Sequence, residues 1–183
     1  MRKVIAGINM TIDGYCDHTL GIPDEELHDH YTELLNNSGV ALYGRITYQL
    51  MEFWKPLVKN PTGEKAMDDF AVAIDKIPKI VFSNTLKQLD WDTAKVSTQD
   101  LKEEVIKLKQ QAGEDILVGS PSLIVQLTNL NLIDEYQLCV HPVIAGKGLL
   151  PLFKNISEMK ILKLSKTKTF GSGAIIHYYQ PKV

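Results

Sequence analysis

Apolar residues run almost unbroken through "KVIAGINM", which predicts a mostly buried strand. Gly7 and Asn9 interrupt that run, and "TIDGY" follows with an Asp-Gly turn signal. The period then changes. In "GIPDEELHDHYTELLNN", Leu27, Tyr31, Leu34 and Leu35 recur at helical spacing, with Asp24 placed to cap and acids crowding the first turn. "GVALYG" reads as a second strand and "ITYQLMEFW" as a short helix. The polar stretch around "KNPTGEK" reads as a loop.

Farther along, "AMDDFAVAIDKI" has a helical pattern, and "PKIVFS" and "AKVST" read as short strands. Leu101, Val105 and Leu108 share one side of a helix in "QDLKEEVIKLKQQAG", with Gly113 as its expected stop. "DILVGS" is a strand and "PSLIVQLTNLNL" a helix. After Ile133 the texture changes to "DEYQLCVHPVIAG", "MKILKLSKTKTF" and "GAIIHYYQ", strands with short connections. That predicts an antiparallel C-terminal part at the sheet edge. No repeat or linker divides residues 1–183. The alternation predicts one α/β domain with a layered sheet.

Composition changes this picture little. The chain has 183 residues, 44% hydrophobic and 23% charged, with a formal net charge of -2. That balance gives no general drive toward nucleic acid or anionic membrane. No apolar run approaches the roughly 18–20 residues of a spanning helix. Cys16 and Cys139 are far apart and form no CxxC pair, in keeping with a reducing, cytoplasmic setting.

The chemistry gathers at strand ends. "VALYGRIT", "KIVFSNT" and "DILVGSPS" each end an apolar strand in small or polar residues, where open α/β sheets bind ligands. Gly119 permits close approach to backbone, Ser120 suits an N-cap, and Pro121 suits the first helical position. Behind Gly44, Arg45 offers a planar fork for phosphate and Thr47 a hydroxyl. Ser83 and Asn84 could supply neutral donors to the same anion. Each piece alone also fits a surface ion pair, a cap or a turn. Their recurrence on three strand ends is what points to a nucleotide.

"NMTIDGY", "YGRITYQ", "IVFSNTL", "ILVGSPSLIVQL", "LIDEYQLCVHPVIAGKGLLPLF" and "GAIIHYY" occur in the order expected of the dihydrofolate reductase-like superfamily. More narrowly, the chain resembles the C-terminal reductase domain of bacterial riboflavin-biosynthesis deaminase/reductases. The resemblance implies a three-layer α/β fold: a central, mostly parallel mixed sheet, an antiparallel C-terminal edge and helices on both faces. It implies NADPH as hydride donor and a small polar heterocyclic or sugar-linked substrate, as for 5-amino-6-(5-phosphoribosylamino)uracil reductase. Gly44, Arg45 and Thr47 would hold cofactor phosphates, and Ser83 and Asn84 would lie near the adenosine 2′-phosphate. Val118, Gly119, Ser120 and Leu123 would line the pyrophosphate and nicotinamide. Ile8 and the Asp13-Gly14 turn would border the nicotinamide and substrate, with Asp13 orienting substrate or relaying a proton. A homodimer is implied by resemblance alone.

Two departures matter. Relatives often carry a cation where this chain has Asn84, so NADH stays open beside NADPH. Where dihydrofolate reductases use a Gly-Gly pair with a cis peptide, this chain has Gly119-Ser120, whose isomer the sequence does not set. Glu25, Glu26 and Asp29 lie on the first helix, but none falls in register with a folate reductase's carboxylate. The remaining readings are a nucleotide-binding protein without turnover and a purely structural dimer. His28 and His30 face apart at i, i+2 and suggest no shared metal. His141 reads as filling a sheet face, and His18 sits in a loop from which it could reach a substrate. Trp54 reads as a lid or as core. "AGKGLLPLF" lacks the spacing of a phosphate loop and reads as a glycine-bent connection.

Overall fold

The structure, a computed structural model, describes residues 1–146 and 151–182. Residues 147–150, inside the glycine-bent "AGKGLLPLF" connection, and residue 183 lie outside the described residues. The strands are β1 (Val4–Thr11), β2 (Ser38–Gly44), β3 (Lys79–Phe82), β4 (Ala94–Val96), β5 (Asp115–Val118), β6 (Glu135–His141), β7 (Leu162–Thr169) and β8 (Ile175–Pro181). The helices are α1 (Glu25–Asn36), α2 (Arg45–Met51), α3 (Lys65–Lys76), α4 (Leu101–Gln110) and α5 (Pro121–Asn129), with a 3₁₀ segment at Glu52–Val58. All strands join one eight-stranded sheet in the order β4-β3-β2-β5-β1-β6-β8-β7. No helix among the described residues is long and apolar enough to cross a membrane.

Pleat parity decides what each face buries. Val4, Ala6 and Ile8 of β1 join Leu42, Val118 and Leu138 under α4 and α5, which contribute Val105, Leu108, Ile124 and Leu127. Ile5 faces the other way and packs with Ala41, Tyr43, Val81 and Leu117 under α1 and α3, where Leu34, Leu35, Ala73 and Ile74 close the layer. Gly7 sits on this second face for a steric reason. A Cβ there would meet Leu34 Cδ2 at 3.2 Å and Leu117 Cδ1 at 3.3 Å, so the glycine lets α1 lie close to the sheet. The Asp24 carboxylate caps α1 by accepting from the Leu27 N–H at 2.8 Å.

Some local expectations need correction. β6 is not part of the antiparallel edge: it pairs parallel with β1 and antiparallel with β8. Its predecessor α5 provides the crossover that a parallel neighbour requires, which the short connections downstream do not. The antiparallel edge is therefore β8 and β7 alone. α4 ends at Gln110, before Gly113; Gly113 serves instead as a turn residue at φ 134°. No described peptide bond is cis, Gly119-Ser120 included. Trp54 does not cover a cleft; it packs edge-on against Phe70 with centroids 4.6 Å apart. His28 is T-shaped to both rings.

His30 is buried on α1 among the rings of Tyr31, Phe170 and Tyr178. Burial lowers its pKa from 6.5 to about 4, with Lys168 adding to the effect. The fold therefore holds His30 neutral. That contribution is fully present above pH 6.5 and is lost as pH falls from there through about 4. His30→Phe should flatten this dependence. Unfolding free energies from urea titrations should fall by about 2 kcal/mol more in the wild type than in the variant between about pH 7 and about pH 4.5. Parallel profiles would show that His30 is not a source of acid sensitivity.

Candidate functional site

The carboxyl ends of β1, β2, β3 and β5 open into a cleft of 790 Å³. Its frame is a side chain to backbone bond. Ser120, buried between β5 and α5, accepts the Gly44 N–H on its Oγ at 2.8 Å, joining positions 76 residues apart. Ser120 does occupy the N-cap position, but its hydroxyl makes no capping bond to α5. The end of β2 claims the oxygen that a local reading assigns to the helix. Glycines flank this bond at positions where an added side chain would make close contact with its neighbours. A Cβ on Gly44 would lie 3.3 Å from Ser122 Oγ, and one on Gly119 would lie 3.4 Å from Tyr43 Cε1.

Arg45 follows Gly44 and is exposed at the cleft, donating from Nη1 to Gln49 Oε1 at 3.1 Å. It makes no ion pair among the described residues. Among the described lining residues it is the one Arg or Lys. Thr47, Asn84, Gly119 and Leu123 line the same space, and Ile8 borders it from β1. Ser83 also lines it, yet its Oγ is occupied in folding its own turn by accepting from Leu86 N–H at 2.9 Å and Thr85 N–H at 3.2 Å. Val118 is fully buried behind the cleft and supports Gly119 without lining it.

Asp13 and Gly14 stand apart from the cleft, against the expectation that they border it. Asp13 Oδ1 accepts from Thr11 Oγ1 at 2.6 Å and Ala145 N–H at 3.1 Å, while Oδ2 accepts from Gly146 N–H at 2.9 Å. The Thr11 hydroxyl and these amides hold the carboxyl down at about 2. At neutral pH Asp13 is thus a charged clamp on the segment after β6, with no proton to relay. Gly14, at φ 85°, makes the tight turn and accepts from Leu152 N–H at 2.9 Å.

Sequence reasoning missed much of the other half of the cleft. Asn9, Cys16, Asp17 and Tyr31 line it beside His18. The signal for Asn9 was its interruption of the apolar run in β1, at the same parity as Gly7. Tyr31 reads along the chain as part of the apolar stripe of α1. Burial pushes the Cys16 thiol up to about 12, which leaves it a packing group rather than a nucleophile. His18 Nδ1 lies 3.7 Å from Asp17 Oδ1. No carboxylate of α1 lines the cleft; Glu26 is turned away and accepts from Gly171 N–H at 3.0 Å.

The family model of the RibD C-terminal domain matches residues 2–176. The chain belongs to that family. The uncharacterized protein YyaP of Bacillus subtilis (strain 168) is 35% identical over 178 residues, which cover 95% of this chain and 92% of YyaP. A putative riboflavin biosynthesis protein from Shewanella sp. PV-4 has the same fold, with a TM-score of 0.73 at 16% identity over 100% of both chains. The diaminohydroxyphosphoribosylaminopyrimidine deaminase/5-amino-6-(5-phosphoribosylamino)uracil reductase of Thermotoga maritima aligns at a TM-score of 0.66 and 17% identity. That match covers 99% of this chain and 57% of the bifunctional one. At these identities the structural likenesses speak for the fold. Open α/β sheets bind ligands outside the carboxyl ends of their parallel strands, which is where this chain has its cleft.

Ser120→Ala should leave the buried Gly44 N–H without its acceptor, at a cost of about 1–3 kcal/mol. Urea denaturation of the two proteins measures this directly. An unchanged midpoint would mean that the strand ends are held by packing alone.

Proposed function

We propose that this chain is an NADPH-dependent reductase acting on a small polar heterocyclic or sugar-linked substrate. The observation that carries the reading is the convergence of Gly44, Arg45 and Gly119 on one cleft at the strand ends of a RibD C-terminal domain. The residues suit a dinucleotide. Gly44 and Gly119 line the cleft without putting a side chain into it, so an anion can come close to the chain there. Arg45, free of any described acid, supplies the positive charge that a phosphate needs.

In this reading Arg45, Thr47 and the loop at Ser83 and Asn84 would hold the phosphates, and Ile8, Gly119 and Leu123 would flank the nicotinamide. NADPH, when bound, supplies the hydride. The chain's own work is positional. The Ser120–Gly44 bond fixes the spacing of the strand ends before any ligand arrives, and a preset frame needs little reordering on binding. Cys16, Tyr31 and Leu35 give the other half of the cleft an apolar wall that displaces water from the reacting carbon. The absence of an α1 carboxylate from the lining disfavours folate as substrate, since a folate reductase uses a carboxylate of its first helix to protonate and hold the pterin.

Selectivity for the 2′-phosphate falls on Arg45, because Asn84 carries no charge. Thermal unfolding with each cofactor tests this. Ligand at 100 times its dissociation constant should raise stability by about 2.7 kcal/mol. Arg45→Ala should weaken NADPH by about 1.5–3 kcal/mol and NADH by clearly less. No shift with either dinucleotide at millimolar concentration would overturn the reading. Binding without NADPH oxidation across a panel of carbonyl and pyrimidine compounds would reduce it to a nucleotide-binding module.

A further inference from the structure

Three elements converge on one side chain in the cleft. Asn9, at the exposed end of β1, accepts on Oδ1 from the Tyr31 hydroxyl of α1 at 3.0 Å and faces His141 Nε2 of β6 at 3.1 Å. The opposite ring nitrogen, His141 Nδ1, accepts from the Ile22 N–H at 3.1 Å. That bond decides the rest. A neutral imidazole has one N–H; with Nδ1 accepting, the proton sits on Nε2 and points at Asn9. His141 is only 2% exposed, and burial lowers its pKa, so the ring is held neutral.

The amide of Asn9 therefore has one allowed orientation. Turned over, its NH₂ would face the Nε2–H of His141, two donors opposed. In the observed orientation both donors meet the carbonyl oxygen, and Nδ2 is left with no acceptor among the described residues while Asn9 lines the cleft. Gly21 completes the arrangement. A Cβ there would sit 3.5 Å from the His141 ring, in ordinary van der Waals contact, so the Gly21–Ile22 loop lies directly against the imidazole. The Tyr31 and His141 side chains are positioning residues for the amide.

We propose that Asn9 is a specificity-determining residue of this cleft, presenting a fixed NH₂ that selects a substrate with a carbonyl-type acceptor, such as a ring lactam oxygen, at that point. This deepens the reductase reading and rests on it for the word substrate. A fixed donor rewards an acceptor and penalises an amino group in the same place, because the latter leaves two donors opposed. The nicotinamide carboxamide offers the same chemistry, so the test must tell the two sources apart.

Side-chain amide NMR of ¹⁵N-labelled protein does so, with Asn9 resonances identified by their loss in Asn9→Asp. That variant keeps the shape and both acceptor contacts to Tyr31 and His141 but has no donor to offer. Three samples are compared: NADPH alone, uracil alone as the lactam probe, and both together. The Asn9 NH₂ resonances should move whenever uracil is present and stay in place with NADPH alone. Asn9→Asp should weaken uracil binding at least about tenfold, and Tyr31→Phe should weaken it by a smaller factor while the amide loses its fixed orientation. Silence toward uracil in both samples, or unchanged uracil affinity in Asn9→Asp, would overturn the proposal. Movement with NADPH alone would overturn the substrate assignment and give the donor to the cofactor. The Gly119 backbone amide reports separately on whether NADPH binds, so failure of the reductase reading is visible on its own.

Discussion

One buried hydrogen bond organises the functional end of this molecule. Gly44 and Ser120 end two neighbouring parallel strands, and the N–H of the first donates to the hydroxyl of the second. Sheet pairing registers β2 against β5 only up to Leu42 and Val118, while on the other side β3 still pairs with Gly44 through Phe82. The serine carries the pairing two residues farther, to where each strand turns into a helix. Gly44 and Gly119 sit at the two turns, where an added Cβ would come within 3.3 Å of Ser122 Oγ and 3.4 Å of Tyr43 Cε1. The spacing of the β2 and β5 rims of the cleft follows from that closure.

The charge pattern gives the site its character. Arg45 is the one Arg or Lys among the described lining residues, and Asp17 and Asp100 are acids in the same lining. A cleft of this kind does not attract anions indiscriminately. It can hold a phosphate only where the guanidinium and open backbone meet, which favours a ligand that also fills the apolar remainder. In the proposed reading, a dinucleotide with its phosphates and a ring at each end matches that division better than a free anion would.

Much of the fold was legible along the chain because its signals are local. The Asp24 cap, the Leu34 and Leu35 stripe and the Pro121 helix start depend on neighbours within a turn or two. Arg45, Asn84 and Gly119 could be gathered by a rule about strand ends. What stayed hidden depended on distant partners. Ser120 looks like an ordinary cap until β2 arrives, and Asp13 looks like a turn residue until Ala145 and Gly146 lend their amides. β6 looks like its antiparallel successors until β1 is beside it. Asn9 was visible as a polar break in an apolar strand, but its partners Tyr31 and His141 each passed as core.

The most direct measurement of the central claim is a crystal structure of the protein grown with NADPH. The 2′-phosphate should lie against Arg45 and the pyrophosphate beside the Gly119–Ser122 turn, with the Ser120–Gly44 bond intact and the strand ends displaced by less than about 1 Å, as a preformed site requires. A dinucleotide bound elsewhere, or one that enters only after this bond has opened, would contradict the account.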